Sequence, residues 1–450
     1  MKILIIGAGE LGSQLAASLS NTDHDVTIID ASPREFDYLM DKLVVMTLGG
    51  LATDVHKLKV AGAGQSDLVI AVSGDQSANV LACQIAKHLG ARKTICRLYD
   101  QEIFSGEDGV TPGFFGIDDI FTPPAECTKA VLDVMFRHCV LEKIHFSHPE
   151  AVMVTAMITD DSPLNNVCIK DIPNTMELSS IRLAAIVRQH RLKIPHGNTT
   201  LRQGDRLYIA GKSEDVEKFL DCLTGEHEHV HKSVVIAGTG RLSELIASHC
   251  LEEDMTVRIL ASSKEEGENF LSKMPAGITT VCGSCNDEDV MREIKADSCD
   301  VFVSTDSDDE NNILASILAK NLGARKVISI THKPEYISIV PAMDLIDCGF
   351  NSTLVSANAV FRLMGESITR IDSRLQSCQA YLTEFSVKPR SRLVGKAIKD
   401  CKLPEEAILA LIFRGEEVLA PTGATILQEG DVVAAIATPA SEEILKPFFS

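Results

Sequence analysis

Short apolar runs alternate, in the first part of the chain, with longer segments in which apolar residues recur every three or four positions. The apolar runs lie at 2–6, 26–30, 43–47, 67–72 and 94–97, and the helical spacing at 11–19 and 79–89. Runs of this length predict buried strands, and strands that alternate with helices predict a parallel, doubly wound sheet. Residues 1–123 are therefore expected to form a Rossmann-like domain.

The pattern changes after the adjacent prolines Pro123 and Pro124. Residues 125–138 have helical spacing, which predicts a connector helix within 124–149. Residues 150–223 then show short alternating strands and a final helix, at 183–187, 206–210 and 213–223. Such a segment is typical of a small β-rich subdomain that ends in a helix.

The whole arrangement occurs twice. The glycine-rich segment 7–12, the Gly-Ala-Arg-Lys segment 90–93 and the Gly-Asp pair 204–205 return in the same order and at nearly constant offset, at 238–243, 323–326 and 430–431. Duplication of the entire unit is the simplest explanation. It predicts a linker, a second Rossmann-like domain, a second connector helix and a second β-rich subdomain, at 224–232, 233–352, 353–379 and 380–450.

Composition narrows the classes of function. The chain has 450 residues, too many for one hydrophobic core, and a formal net charge of −20, which opposes binding to nucleic acid or anionic lipid. No leader precedes the first strand, and no apolar run approaches the 18 or so residues of a membrane span, so a cytoplasmic protein without direct membrane insertion is expected. The 13 scattered Cys suggest reduced thiols rather than disulfides.

A candidate nucleotide site lies between the first predicted strand and helix. Gly7 would permit a tight turn, Gly9 would let a pyrophosphate approach the backbone, and Gly12 would let the helix pack closely. Asp30 ends the second strand, where a carboxylate can accept hydrogen bonds from both ribose hydroxyls. NAD or another adenine nucleotide with an unphosphorylated ribose is expected over NADP. The alternative is a glycine turn that only packs helix on strand.

Other residues are expected at the same cleft, because ligands of open α/β sheets bind beyond the carboxyl ends of the strands. Those that follow the third, fourth and fifth strands are Gly50, Leu51, Val72, Ser73 and Arg97. Arg97 could pair with a phosphate or could be an ordinary solvated charge.

The second copy has lost parts of this fingerprint. Gly238 and Gly240 remain, but Ser243 replaces the third glycine, and Ala261 and Ile330 align with Asp30 and Arg97. A structural or weakly binding second site is therefore favoured, because ribose recognition would lack its carboxylate.

Three other clusters could each form a chemical site or could have a purely structural role. The acidic segment 306–310 could hold a divalent cation or could cap the following helix. Cys282 and Cys285 could serve redox or zinc chemistry, and the histidines in 227–231 could bind a transition metal. The purely structural interpretation is favoured for all three, namely a helix cap, ordinary residues at a strand end and a polar linker. No metal site is therefore expected.

Taken together, the glycine segment 7–12 with Asp30, the segments 67–73 and 79–83 and the two Gly-Asp pairs resemble the TrkA family of Trk-type potassium-transport regulatory proteins, over almost the whole chain. The resemblance implies two RCK domains, each with a β-rich C-terminal subdomain, and NAD(H) or ATP/ADP as ligand. It implies nucleotide contacts at Gly7, Ala8, Gly9, Glu10, Leu11, Asp30, Val72, Ser73 and Arg97. The family often has Gly-Asp-Ala-Thr after the third strand, and this chain has Leu51 in place of that Asp.

The resemblance also implies a function. It is that of a non-enzymatic gating subunit that lies on the inner face of the membrane through a TrkH/KtrB-like potassium transporter or channel subunit. Similar proteins are homo-oligomers, dimers or tetramers. Two alternatives stay open: an NAD-dependent oxidoreductase, for which the small subdomains offer no cluster of acid or base groups, and a nucleotide sensor for another transporter.

Overall fold

The computed structural model describes most of the chain, namely residues 1–20, 24–32, 45–104, 110–172, 180–189, 191–224, 232–340, 343, 345–364, 373–374, 380–404 and 407–449. Within these ranges, no helix is both long enough and apolar enough to cross a membrane.

The first domain contains a six-stranded parallel sheet in the order β3-β2-β1-β4-β5-β6. Its strands are β1 (Lys2–Ile6), β2 (Asp25–Asp30), β3 (Met46–Gly49), β4 (Leu68–Ala71), β5 (Lys93–Arg97) and β6 (Asp119–Phe121). Its helices are α1 (Glu10–Ser20), α2 (Val55–Val60) and α3 (Gln76–Leu89). Strand order reverses at β1, so the switch point lies between β1 and β4, directly beyond the glycine segment.

The second domain repeats this sheet in the order β14-β13-β12-β15-β16-β17. Its strands are β12 (Ser233–Ala237), β13 (Thr256–Ala261), β14 (Thr279–Cys282), β15 (Val301–Ser304), β16 (Lys326–Thr331) and β17 (Cys348–Asn351). Its helices are α6 (Arg241–Glu252), α7 (Lys264–Lys273), α8 (Glu288–Glu293), α9 (Asp309–Leu322) and α10 (Tyr336–Ile339).

The corresponding helices of the two domains begin and end with matching caps. Asp75 accepts hydrogen bonds from the first backbone N–H groups of α3, and Asp308 does the same for α9. Gly90 and Gly323 end these helices with φ of +116° and +123°, a conformation that L residues with a side chain rarely adopt. The repeated sequence therefore specifies repeated local structure.

Each Rossmann-like domain is followed by a small antiparallel sheet. The first has the order β10-β9-β11-β8-β7 and the second β18-β19-β22-β20-β21. The first consists of β7 (Val140–His145), β8 (Ala151–Met157), β9 (Ile181–Arg188), β10 (Arg191–Lys193) and β11 (Arg206–Lys212), followed by α5 (Ser213–Thr224). The second consists of β18 (Ser373–Arg374), β19 (Tyr381–Ser386), β20 (Ala407–Arg414), β21 (Glu417–Leu419) and β22 (Val432–Ala437), followed by α12 (Pro439–Phe449). The predicted fold class is confirmed.

The first connector helix is shorter than expected. It is α4 (Pro123–Met135), and the remainder of the predicted segment 124–149 includes strand β7 of the small sheet. In β7 the residues at both faces are largely buried, so the strand lacks a clean polar and apolar alternation. The second is α11 (Ser352–Met364). Of the predicted segment 353–379, residues 365–372 and 375–379 lie outside the described part of the chain.

These two connectors, α4 and α11, are crossover helices: each packs on the Rossmann-like domain of the other unit. The apolar residues Val131 and Val134 of α4 share a core with Val234 and Ile246 of the second domain. Val360 of α11 shares a core with the first domain's β1 and α1. The two helices also pack on each other, and Arg362 pairs with Glu126 across them at 2.6 Å. The two units are therefore interlocked.

Corresponding lysines of the two sheets hold the ends of these crossover helices. Lys326 is fully buried, and its Nζ donates to the backbone carbonyls of Val134, Arg137 and Val140 at the end of α4. Lys93, its counterpart in the repeat, donates to the carbonyl of Leu363 at the end of α11. The last carbonyls of a helix lack partners within that helix, so each lysine supplies a donor to carbonyls at a helix end. Burial lowers the pKa of Lys326.

The small sheets also join the two units. The rings of Phe146 and Phe413 lie 5.4 Å apart, and the ring of His148 stacks on Phe413 at 5.6 Å. The backbone N–H of Ser147 donates to Glu384 Oε1 at 2.9 Å. The two halves are therefore in contact at both the crossover helices and the small sheets.

Candidate functional site

The glycine segment of the first domain has the geometry that its spacing predicts. Gly7 has φ of +105°, and a Cβ there would lie 2.7 Å from the backbone nitrogen of Ser73. A Cβ at Gly12 would lie 1.8 Å from the carbonyl oxygen of Gly7, so α1 can approach the turn only with glycine at this position. Among the described residues, no heavy atom would lie within 4 Å of a Cβ at Gly9, which leaves space above the start of α1. This space is where a phosphate could meet the helix N-terminus.

Asp30 is held at the carboxyl end of β2 by two backbone hydrogen bonds. Its Oδ2 accepts from the N–H of Ala8 and its Oδ1 from the N–H of Ser32, each at 2.7 Å. Each carboxylate oxygen has two lone pairs, so both oxygens can accept a further hydrogen bond from a hydroxyl group. The side chain is thus fixed in position and still able to bind a diol.

The turn at Val72 and Ser73 is fixed by Asn79, a buried residue of α3. Asn79 Oδ1 accepts from the N–H of Ser73 at 2.9 Å, and its Nδ2 donates to the carbonyls of Ser73 and Arg97 at 3.0 and 3.1 Å. In the second domain, Asn312 makes the same three bonds, to both backbone groups of Asp306 and to the carbonyl of Ile330. Asn79 and Asn312 therefore set the shape of the cleft wall, a role that their place in the repeat alone did not reveal.

Arg97 extends from the end of β5 toward the cleft. Its Nη1 lies 3.4 Å from the carbonyl oxygen of Val72, and the side chain is half-buried. Burial lowers the pKa of the guanidinium, and the negative charge of Glu10 partly opposes that effect. Arg97 lines both the first cleft and the corresponding cleft of the second domain.

Most of the expected residues come together around one cavity of 360 Å³. Its lining includes Gly7, Gly9, Glu10, Leu11, Asp30, Val72, Ser73 and Arg97. Ala8 and Gly12 are buried beneath the turn and shape it. Gly50 and Leu51 are not part of this lining: the N–H of Gly50 bonds to the carbonyl of Asp30 at 2.8 Å, and the Leu51 side chain is 62% exposed.

The second unit completes the first cleft. His332, which follows β16, and three residues from the first turns of α11 line it, namely Ser352, Thr353 and Ser356. The imidazole Nδ1 of His332 lies 2.8 Å from Asp309 Oδ1, which fixes the orientation of the ring. These residues were missed because the sequence does not say which unit covers which cleft. Tyr99, the counterpart of His332 in the repeat, lines the second cleft in the same way.

The second cleft is larger, 640 Å³, and keeps the turn at Gly238, with φ of +125°. Ser243 is accommodated where the first domain requires glycine, and its hydroxyl lies 2.8 Å from that of Thr305. Ile330, at the position of Arg97, is buried and offers no charge.

A carboxylate is nevertheless present in the second cleft. Glu266 of α7 lines it, and Glu266 Oε2 accepts from the hydroxyl of Ser262 at 2.5 Å and from that of Thr239 at 3.5 Å. In the repeat, the residue that aligns with Asp30 is Ala261, which is buried. The carboxylate comes instead from the helix that follows, which the alignment of the strands does not reveal. The expectation that this cleft lacks a carboxylate is therefore corrected.

The acidic segment 306–310 caps and braces structure. Asp308 caps α9, Asp309 accepts from the N–H groups of His332 and Lys333, and Glu310 pairs with the Lys333 ammonium at 2.8 Å. Over the described ranges, no group of three or more His, Cys, Asp or Glu residues is arranged to hold a metal ion. Cys282 is exposed and Cys285 lies in the second cleft as a free thiol. The histidines at 227–231 lie outside the described residues.

Family models match most of the chain. The TrkA-N domain matches residues 3–122 and 234–347, and the TrkA-C domain matches residues 153–223 and 382–450. These are the two Rossmann-like domains and the two small sheets.

Similar proteins match nearly the whole of this chain. The chain is 31% identical over 431 residues to the "Trk system potassium uptake protein TrkA homolog" of Archaeoglobus fulgidus, with 96% of each chain covered. It is 26% identical to the "Trk system potassium uptake protein TrkA" of Vibrio alginolyticus, over 96% of this chain and 95% of that one. The solved structure titled "GsuK channel bound to NAD" has the same fold, with a TM-score of 0.61 at 16% identity, over 100% of this chain and 78% of that one.

Proposed function

This chain belongs to the TrkA family, and from that premise we propose that it is the nucleotide-binding regulatory subunit of a Trk-type potassium uptake system. The observation that carries the proposal is the first cleft, where Asp30 is fixed between the N–H groups of Ala8 and Ser32 and the second unit closes the open side. The curated relatives that match 96% of this chain are named as potassium uptake proteins.

The ligand we propose for this cleft is NAD(H) or ATP/ADP. A pyrophosphate would lie over Gly9 at the start of α1, where backbone N–H groups point outward. The ribose hydroxyls would donate to Asp30, and Arg97 would face the phosphates. The GsuK neighbour is titled as bound to NAD, and it supports this choice through its fold alone.

The proposed regulation follows from the position of the crossover helices. Pro123 at the start of α4 and Ser352 at the start of α11 both line the first cleft. A nucleotide that binds one arrangement of these helices more tightly would shift the population toward it. Because α4 and α11 interlock the two units, this shift would move the domains relative to one another, and a TrkH/KtrB-like membrane subunit would sense the movement. The protein would then act at the inner face of the membrane, as a homo-oligomer.

Purified protein should become more stable when the correct nucleotide is added. A ligand present at a hundredfold excess over its Kd stabilises the folded state by about 2.7 kcal/mol, which is a shift of several degrees in Tm. The measurement is thermal unfolding with NAD, NADH, ATP and ADP in separate samples. If none of the four raises Tm, the first cleft is not a nucleotide site.

The regulatory role has its own test. The membrane subunit, reconstituted in vesicles with this chain, should change its potassium flux when nucleotide is added. An Asp30→Ala chain should still bind the vesicles without conferring that response. A nucleotide response that occurs without this chain, or persists with Asp30→Ala, would contradict the proposal.

An oxidoreductase is the second candidate, because His332 lies beside the first cleft with its ring held by Asp309. An imidazole with a carboxylate partner can act as a general acid or base. Incubation with NAD and a panel of alcohols and hydroxy acids is expected to produce no NADH absorbance. Formation of NADH that is lost in His332→Ala would favour the enzyme instead.

A further inference from the structure

A separate cavity of 130 Å³ is lined by both crossover helices. Residues of α4 and β7 line it from the first unit, and residues of α10, β17 and α11 line it from the second. It shares no lining residue with either nucleotide cleft within the described ranges. Nothing in the proposed function uses it.

Two buried oxygen atoms in its lining residues are left without a hydrogen bond. Glu142 Oε2 and Asn358 Oδ1 have no partner among the described residues, and Glu142 as a whole is only 9% exposed. A buried polar atom without a partner costs free energy, and a buried carboxylate costs most. Thr155, opposite Glu142 on the paired strand β8, favours the ionised carboxyl, but Oε2 keeps no hydrogen bond to any described residue. When Glu142 is ionised, both atoms are acceptors, so a ligand that binds this state has to supply donors.

The cationic side chains around the cavity do not supply that donor. Lys143 pairs with Glu217 at 3.3 Å, His145 with Asp133 at 2.8 Å and Arg362 with Glu126 at 2.6 Å. Lys129 is exposed. Tyr336 donates its hydroxyl to Glu310 at 2.7 Å. Among the described residues of the lining, every charged or titratable group other than Glu142 is thus paired or in solvent.

The other walls are apolar and are formed by Ile144, Val340, Phe350, Leu354 and Phe361. These side chains suit the hydrocarbon part of an organic ligand. A metal ion would need several oxygen ligands, and the described residues contain no group of three His, Cys, Asp or Glu around one point. The lining therefore combines one carboxylate and one amide oxygen with a hydrocarbon surface.

We propose that this cavity binds a small organic ammonium ion, a primary amine with a short aliphatic body, whose charged head donates to Glu142 and Asn358. Burial raises the pKa of Glu142 to about 8, so the free protein holds a neutral carboxyl at neutral pH. Binding of the ammonium ion would favour the carboxylate and release a proton.

The bound amine would act on the nucleotide cleft through α11. Leu354, Val355 and Asn358 of this helix line the cavity, while Ser352, Thr353 and Ser356 line the first nucleotide cleft. Both ligands would therefore bias the position of one helix, which couples their affinities. The amine site itself goes beyond the proposed nucleotide function and does not rest on it.

The test is calorimetric titration of the full, nucleotide-free chain with butylammonium chloride and with 1,4-diaminobutane dihydrochloride. One site per chain is expected. Affinity should be about tenfold weaker at pH 7 than at pH 9, because a carboxyl with a pKa of about 8 is roughly one-tenth ionised at pH 7 and nine-tenths at pH 9. Glu142→Gln should weaken binding at least tenfold at pH 9, and Asn358→Asp should tighten it. Glu384→Gln, a buried glutamate outside the cavity, is the matched control and should bind as the unaltered chain does.

Several results would overturn the proposal. The proposal fails if neither amine gives a heat of binding, or if Glu142→Gln binds the amines as tightly as the unaltered chain does. It also fails if potassium or magnesium chloride gives a heat of binding and the amines do not. Since Asn358→Asp keeps Glu142, it gives an independent outcome if Glu142→Gln does not fold. The titration contains no nucleotide, so its failure is distinct from failure of nucleotide binding. A repeat with saturating NAD should change the amine affinity.

Discussion

Replacing Asp30 with alanine is expected to weaken NAD(H) binding by about a hundredfold or more. Hydrogen bonds to a charged group contribute about 1.5–3 kcal/mol each, and the ribose would lose two of them. The variant would also lose the bond from the N–H of Ala8 to Asp30 Oδ2, which helps to hold the glycine turn. Calorimetric titration of the purified variant measures the change directly.

Asp30→Asn separates these two contributions. The amide oxygen can still accept from the N–H of Ala8, but the amide nitrogen cannot accept from a ribose hydroxyl or from Ser32. An intermediate loss, about tenfold, is expected. If Asp30→Asn binds as tightly as the unaltered chain while Asp30→Ala does not, Asp30 supports the turn and does not contact the ligand.

Glu266→Ala is the matched control, because Glu266 is a carboxylate that lines the second cleft. It should leave the affinity of the first cleft unchanged. The reverse pattern, in which Glu266→Ala abolishes binding and Asp30→Ala has no effect, would place the nucleotide in the second cleft. If the unaltered chain shows two binding events and each variant loses a different one, both clefts bind nucleotide.

The sequence allowed the first domain to be predicted well, because local rules determine it. Strand β1, the turn at Gly7 and helix α1 follow from apolar spacing and from the lack of a side chain at three positions. The duplication was equally clear, because it compares the chain only with itself. Both are properties of neighbouring residues or of repeated segments.

The composition of the cleft could not be predicted in the same way. The apolar stripe of α11 shows that the helix is buried, but the stripe is the same whether its own domain or the other one covers it. Exchange of the crossover helices therefore stayed hidden, and with it the roles of Ser352 and His332. Glu266 was missed for a related reason, since a helix turn brings it to a place that strand alignment assigns to Ala261.

Replacing Asp205 with asparagine is expected to destabilise the first small sheet by about 3–5 kcal/mol. Asp205 is fully buried, and both of its oxygens accept from the guanidinium of Arg188, each at 2.6 Å. Its Oδ2 also accepts from the N–H of Arg202 at 2.8 Å. Asparagine would lose the negative charge and present an amide N–H group to the guanidinium in place of one acceptor, so charge-assisted hydrogen bonds of about 1.5–3 kcal/mol each would be weakened at a buried position. Urea unfolding followed by circular dichroism measures it.

The second small sheet provides the matched comparison. Asp431 accepts from Arg414 at 2.8 Å through both oxygens and is also buried. Asp431→Asn should therefore destabilise that sheet to a similar extent. Neither residue lines a nucleotide cleft, so NAD(H) affinity at low temperature should stay within about twofold in both variants. A loss below about 1 kcal/mol in both would mean that the pairs are no more than surface contacts.

These variants also test whether the repeated Gly-Asp pairs serve the stability of the small sheets or the binding of a ligand. Gly204 and Gly430 have φ of +80° and +83°, so each glycine makes the turn that brings its aspartate back to the arginine of the neighbouring strand. The pairs are thus explained by the stability of the small sheets, and the glycine turn with Asp30 by the ligand binding that we propose. If Asp205→Asn abolished nucleotide binding in a chain that stayed folded, the small sheets would have to act on the cleft, and the division between a binding domain and a supporting subdomain would be wrong.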